Sequence, residues 1–112
     1  MNLYNLEAIK NFTGLNDETV DLLAKTFLEE LEESNKEIIE IKETEDKTLI
    51  RRAIHKIKPG YIMFGFSDII PVINEILEAD PDSLGQSDFD YMISEYLEFS
   101  VGLEAEMKSK LQ

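Results

Sequence analysis

Apolar residues recur along most of this chain at intervals of three and four, the spacing that lines one face of an α-helix. Alternating strand-like runs and Asn-Gly hairpin turns are nearly absent. The pattern predicts five helical segments. The first runs from about Leu6 to Phe12, with Asn5 as cap and Gly14 as stop. The second runs from about Asp17 to Ile41 behind a cap at Asn16. It places Val20, Leu23, Ala24, Phe27, Leu31, Ile38 and Ile41 on one face and glutamates over most of the other. The polar stretch "KETEDK" then leads to a third segment, about Thr48 to Phe64, ending at Gly65. The fourth starts near Ser67 or Pro71 and carries Ile69, Ile70, Val72, Ile73, Ile76 and Leu77 until "ADPDSLGQ" stops it. The fifth runs from about Asp88 to Leu111 behind a cap at Ser87. Its stripe is Phe89, Met92, Ile93, Tyr96, Phe99, Leu103, Met107 and Leu111.

Four long amphipathic segments joined by short links predict an all-α fold. The expected arrangement is an antiparallel up-down-up-down four-helix bundle with a short extra N-terminal helix. Residues 1–112 suffice for one domain with one modest core, and no repeat or second domain is visible. Beginning at Met1, the chain is expected to be a complete small protein.

One stretch of the third segment breaks the pattern. "AIHKIKPGYIMFG" has the apolar spacing of a buried helix, yet Pro59-Gly60 stands in its middle. A proline inside a helix lacks the N–H that would bond the carbonyl four residues earlier, and here that residue is His55. Ile57, Tyr61 and Phe64 keep the inward register across the pair. The segment is therefore expected to bend at Pro59 and continue.

Charge sharpens this picture. The net charge is -13, which argues against general nucleic-acid binding. Yet "KTLIRRAIHKIK", residues 47 to 58, holds Lys47, Arg51, Arg52, Lys56 and Lys58 and no acid, five of the chain's 11 cations. There is no cysteine, so disulfides and thiolate metal sites are excluded, and a cytoplasmic location is favoured. No signal peptide and no membrane-spanning apolar run is present in the sequence.

The only histidine, His55, falls nearly opposite the inward face of the third segment. Its helical neighbours are Arg51, Lys58 and Ile62, with Pro59 bordering the same face. A ring of cations repels a metal ion and offers no second ligand, so no metal is expected here. No residue at helical spacing could form a Ser-His-Asp arrangement. A neutral imidazole can, however, attack phosphorus and carry the phosphoryl group. Nearby cations would stabilise the anion, and exposure would let partner proteins reach the ring.

"HKIKPGYIMFG" resembles the signature of histidine-containing phosphotransfer (HPt) domains. Their phosphorylated histidine is followed by an aliphatic residue two later, a lysine three later and a glycine ten later. His55, Ile57, Lys58 and Gly65 occupy those positions. "YNLEAIKNFTGLNDETV" and "LLAKTFLEELEE" also look like the family's first helix, turn and second helix. The resemblance implies a four-helix bundle acting in a bacterial phosphorelay, without autonomous kinase activity. His55 would accept a phosphoryl group from an aspartyl phosphate on one receiver domain and pass it to an aspartate on another. Lys58 would lie nearest the phosphoryl oxygens. The partners would be receiver domains of response regulators and hybrid histidine kinases. The chain itself would need no cofactor, because Mg2+ sits on the receiver, and it would act as a monomer. The family usually has glycine four after the histidine, where this chain has Pro59, so the resemblance is to a Lys-Pro variant. Arg51, Arg52, Lys56, Pro59 and Ile62 are the candidate docking residues. The alternative is a non-catalytic acidic helical adaptor or inhibitor of receiver or other signalling domains.

Overall fold

The computed structural model describes residues 3–44, 46–80 and 85–111. Among these residues every regular element is an α-helix: α1 (Leu6–Thr13), α2 (Asp17–Lys42), α3 (Lys47–Met63), α4 (Ile70–Glu78) and α5 (Gln86–Leu111). Helices α2 and α5 have 26 residues each. At 1.5 Å per residue they extend about 39 Å, close to the 45 Å long axis of the molecule. Helix α2 packs on α3 and α5, α3 on α4, and α4 on α5, so these four close a ring around one apolar core. Helix α1 packs on α2. Among the described residues, no helix is long and apolar enough to cross a membrane.

Local chemistry explains the helix ends. The side chains of Asn5 and Asn16 accept the N–H groups of Ala8 and Thr19, satisfying first-turn donors. Asp46 does the same for Leu49 at the start of α3, a cap hidden within a polar link. Gly65 ends α3 with φ of 74°, where a side chain would be strained. Its N–H reaches the Ile62 carbonyl, and the Phe66 N–H reaches that of Tyr61. The Phe66 and Tyr61 rings meet across this turn with centroids 6.2 Å apart, completing a Schellman motif.

The structure bears out the later of the two expected starts for the fourth segment and moves that of the fifth. Helix α4 begins at Ile70 with Pro71 in its first turn, and Ser67 precedes it in a turn. Helix α5 begins at Gln86, so Ser87 lies inside it; the Gly85 carbonyl takes the Phe89 N–H. Glu45 of the first polar link and residues 81–84 of the second lie outside the described residues. Every inward residue expected of α3 is buried. On α2 the buried face is wider than expected, taking in Leu28, Ser34 and Asn35, while Leu23 and Ile41 are half-buried. Phe99 and Leu111 are likewise half-buried, and Ser100 is buried.

Helix α3 runs unbroken through Pro59-Gly60. The two residues divide their roles. Pro59 is exposed, whereas Gly60 faces α2. A Cβ at position 60 would stand 2.4 Å from Cδ1 and Cε1 of Phe27. That ring is held by Tyr61, Phe64 and Phe66, with centroids 5.4, 5.4 and 6.2 Å away. It therefore has little freedom to retreat.

The N-terminal segment is tied to the far end of α5. Glu106 Oε2 accepts the N–H groups of Leu3 (2.6 Å) and Tyr4 (2.8 Å). Lys110 donates to the Tyr4 carbonyl at 2.6 Å and pairs with Glu106 Oε1 at 3.4 Å. Burial alone would raise the Glu106 pKa. The two backbone donors and the Lys110 ammonium outweigh it and hold the carboxyl below its ordinary value.

Two predictions follow from these contacts. Alanine at position 60 gains about 1 kcal/mol of helix propensity, but overpacking a rigid ring costs about 1–3 kcal/mol. Gly60→Ala is therefore expected to lower the melting temperature by roughly 5 °C, and an unchanged or higher value would show that the ring yields. Glu106 is lowered in the folded state, so its stabilisation is present above the ordinary glutamate value of 4.5 and is lost as pH falls through the folded value. Glu106→Gln should be less stable than wild type at neutral pH, with the difference shrinking in acid. Thermal melts across pH would show a constant difference if the carboxylate contributes no such linkage.

Candidate functional site

The candidate site is the outward face of α3. Because Ile54, Ile57 and Tyr61 are buried, His55, Lys56 and Pro59 between them turn to solvent. His55 is exposed near the middle of the helix, and no described side chain bonds it. Pro59 and Ile62 continue the exposed face, Ile62 being 52% exposed. Met63, beside it, is also exposed.

The cations near His55 are not equivalent. Lys58, three residues on, is half-buried, and its ammonium donates to Oδ1 of Asn74 on α4 at 2.7 Å. Arg51, four residues before His55, leans to α4 as well. Its Nε donates to the Ile76 carbonyl at 3.0 Å and its Nη2 to the Ala79 carbonyl at 2.9 Å. These carbonyls close the C-terminal end of α4, where helical N–H partners have run out and positive charge is favoured. The same guanidinium lies 5.3 Å from the centroid of the Phe89 ring, and Lys47 lies 5.7 Å from it. Arg51 thus joins α3, α4 and α5, with two of its N–H groups engaged inside the molecule.

Arg52 and Lys56 are exposed. Lys56 borders a groove of about 270 Å³ between α2 and α3, along with Glu30, Glu33, Ser34, Glu37, Ala53 and Ile57. Its surroundings there are the glutamates of α2. The structure thus leaves Pro59 and Ile62 exposed on the same helix as His55, turns Lys58 and Arg51 to α4 and sets Lys56 toward α2. Asn74 is the residue that sequence reasoning passed over. Its signal was faint: an uncharged amide beside Glu75 in the mostly apolar "IPVINEIL".

The arrangement can present a nucleophilic ring to another macromolecule beside one fixed ammonium. Among the described residues, no group of three or more His, Cys, Asp or Glu side chains could hold a metal ion. Comparison of the chain with family models, curated proteins and solved structures found no match.

The Arg51 contacts carry a stability prediction. Arg51→Ala should cost about 2 kcal/mol in chemical denaturation, since it leaves two helix-end carbonyls and a ring face without their cation. Arg51→Lys should recover only part, because one ammonium cannot match the guanidinium fork. Full stability in the alanine variant would show that water replaces these bonds at no loss.

Proposed function

We propose that the chain is a phosphorelay carrier of the HPt kind. In this reading the four long helices run up-down-up-down and antiparallel, with α1 as the short extra helix. His55 takes a phosphoryl group from the aspartyl phosphate of one receiver domain and delivers it to an aspartate of another. The observation that carries the reading is the exposed, unbonded imidazole of His55, one turn from the half-buried ammonium of Lys58. A spectator surface histidine needs no such neighbour.

The chemistry balances without a group on this chain beyond the ring. One ring nitrogen uses its lone pair to form a P–N bond. The acyl phosphate P–O bond breaks, and the donor's aspartate leaves as carboxylate. The proton on the other ring nitrogen stays in place, so the phosphorylated ring is cationic and a good leaving group for the next aspartate. Positioning and charge stabilisation are the protein's contribution. Lys58 provides positive charge beside the phosphoryl oxygens. Mg2+ belongs to the receiver, and its chemistry stays on that partner. The chain acts as a monomer in the cytoplasm, with receivers of response regulators and hybrid histidine kinases as partners.

A receiver domain charged with acetyl phosphate in the presence of Mg2+ is expected to label the wild-type chain at His55. The label should be acid-labile, as phosphohistidine is. His55→Gln should abolish it while leaving the thermal melt unchanged. Persistent labelling of that variant would overturn the assignment. Receiver binding without any labelling would point to the non-catalytic adaptor.

A further inference from the structure

We propose that Asn74 is a positioning residue for phosphoryl transfer, acting through Lys58. The proposal rests on the carrier reading above and extends the site from α3 to α4. A lysine at a helix surface samples many rotamers, and a phosphoryl group needs its ammonium in one place. Here the Lys58 ammonium donates to Asn74 Oδ1 at 2.7 Å. An ammonium has three donors and an amide oxygen takes one, so two N–H groups remain for phosphoryl oxygens. Asn74 therefore fixes the cation without neutralising it. A carboxylate at position 74 would hold the lysine more strongly but cancel its charge. Both residues are half-buried, which limits competition from water.

Helix α4 is itself held to α3 beside this bond. One turn before His55, Arg51 grips the Ile76 and Ala79 carbonyls. One turn after it, Lys58 meets Asn74. The histidine stands on the stretch of α3 between two ties to the same helix. The position of α4 thus decides where the Lys58 ammonium stands relative to the ring. Asn74 makes no proposed contact with the reacting atoms, and its effect passes wholly through Lys58.

The test uses potassium phosphoramidate, a small phosphoryl donor, so that no partner surface is involved. In this reaction the donor's P–N bond breaks, ammonia leaves with the bonding pair, and the His55 ring nitrogen bonds to phosphorus. Wild type, Lys58→Ala, Asn74→Ala and the double variant are compared by initial rate of phosphohistidine formation. Asn74→Leu, which keeps the side-chain volume but removes the acceptor, serves beside Asn74→Ala in case the smaller variant loses its fold. Either Asn74 variant should react about tenfold more slowly than wild type, the size of one lost charge-assisted hydrogen bond. In the Lys58→Ala background the Asn74 substitution should have no further effect. A merely structural role would slow both backgrounds alike, and that result overturns the proposal. So does a wild-type rate in both Asn74 variants. Failure to label the wild-type chain with either phosphoramidate or a charged receiver overturns the carrier reading itself, a separately recognisable outcome.

Discussion

The approach of α3 to α2 at Gly60 is the constraint on which the rest of the molecule depends. The Phe27 ring occupies the space that any side chain at position 60 would need. It also touches Tyr61, Phe64 and Phe66, which close the end of α3. This contact fixes both the depth and the rotation of α3. With 57, 61 and 64 turned inward, 55, 58, 59 and 62 must face outward or to the edge. The outward face that carries His55 is thus a by-product of core packing one helix away. The Pro-Gly pair is not a turn. Its glycine serves the core and its proline stands on the solvent side.

Polar groups inside the core tie the other helices to this frame. The Tyr61 and Tyr96 hydroxyls meet at 3.0 Å with both residues fully buried. Burial pushes both phenols well above their ordinary range, Tyr96 to about 12, so the pair stays neutral and shares one hydrogen bond. Between α2 and α5, the Asn35 amide donates to the Ser100 carbonyl at 3.1 Å and to Glu104 at 2.9 Å. Among the described residues, Tyr4 Oη, Ser34 Oγ and Asn35 Oδ1 are buried without a partner. Such groups cost more to leave unmet than a hydrogen bond gains.

Much of the architecture was legible in the sequence because it is local. Asn5, Asn16, Gly14 and Gly65 act within a few residues of themselves, and they delimit helices much as their chemistry predicts. The inward face of α3 was legible for the same reason, since helical periodicity is a property of neighbours. What escaped lies between residues distant in sequence. Glu106 holds Leu3 from 103 positions away. Arg51 looked like a surface cation, but the carbonyls it caps are 25 and 28 residues on. Asn74 could not be paired with Lys58 until α4 was laid against α3. Ser34 and Asn35 carry no apolar signal, and only packing makes them interior, Ser34 beside the groove with α3 and Asn35 against α5. The candidate site divides in the same way. His55 and its exposure followed from periodicity, whereas the division of labour among its cations is tertiary.

Pro59 has one more consequence, and it concerns cooperativity. Each rung of a helix couples the opening of one turn to the next. Proline has no N–H, so the rung that would start at residue 59 and end on the His55 carbonyl does not exist. That carbonyl loses its ordinary helical partner on a residue that is exposed. The backbone between 55 and 59 is therefore a seam, where local opening breaks one bond fewer than elsewhere in α3. Packing from Gly60 onward closes one side of the seam, and the Arg51 grip on α4 closes the other. His55 stands exposed at that missing rung, between the two ends of α3 that packing holds.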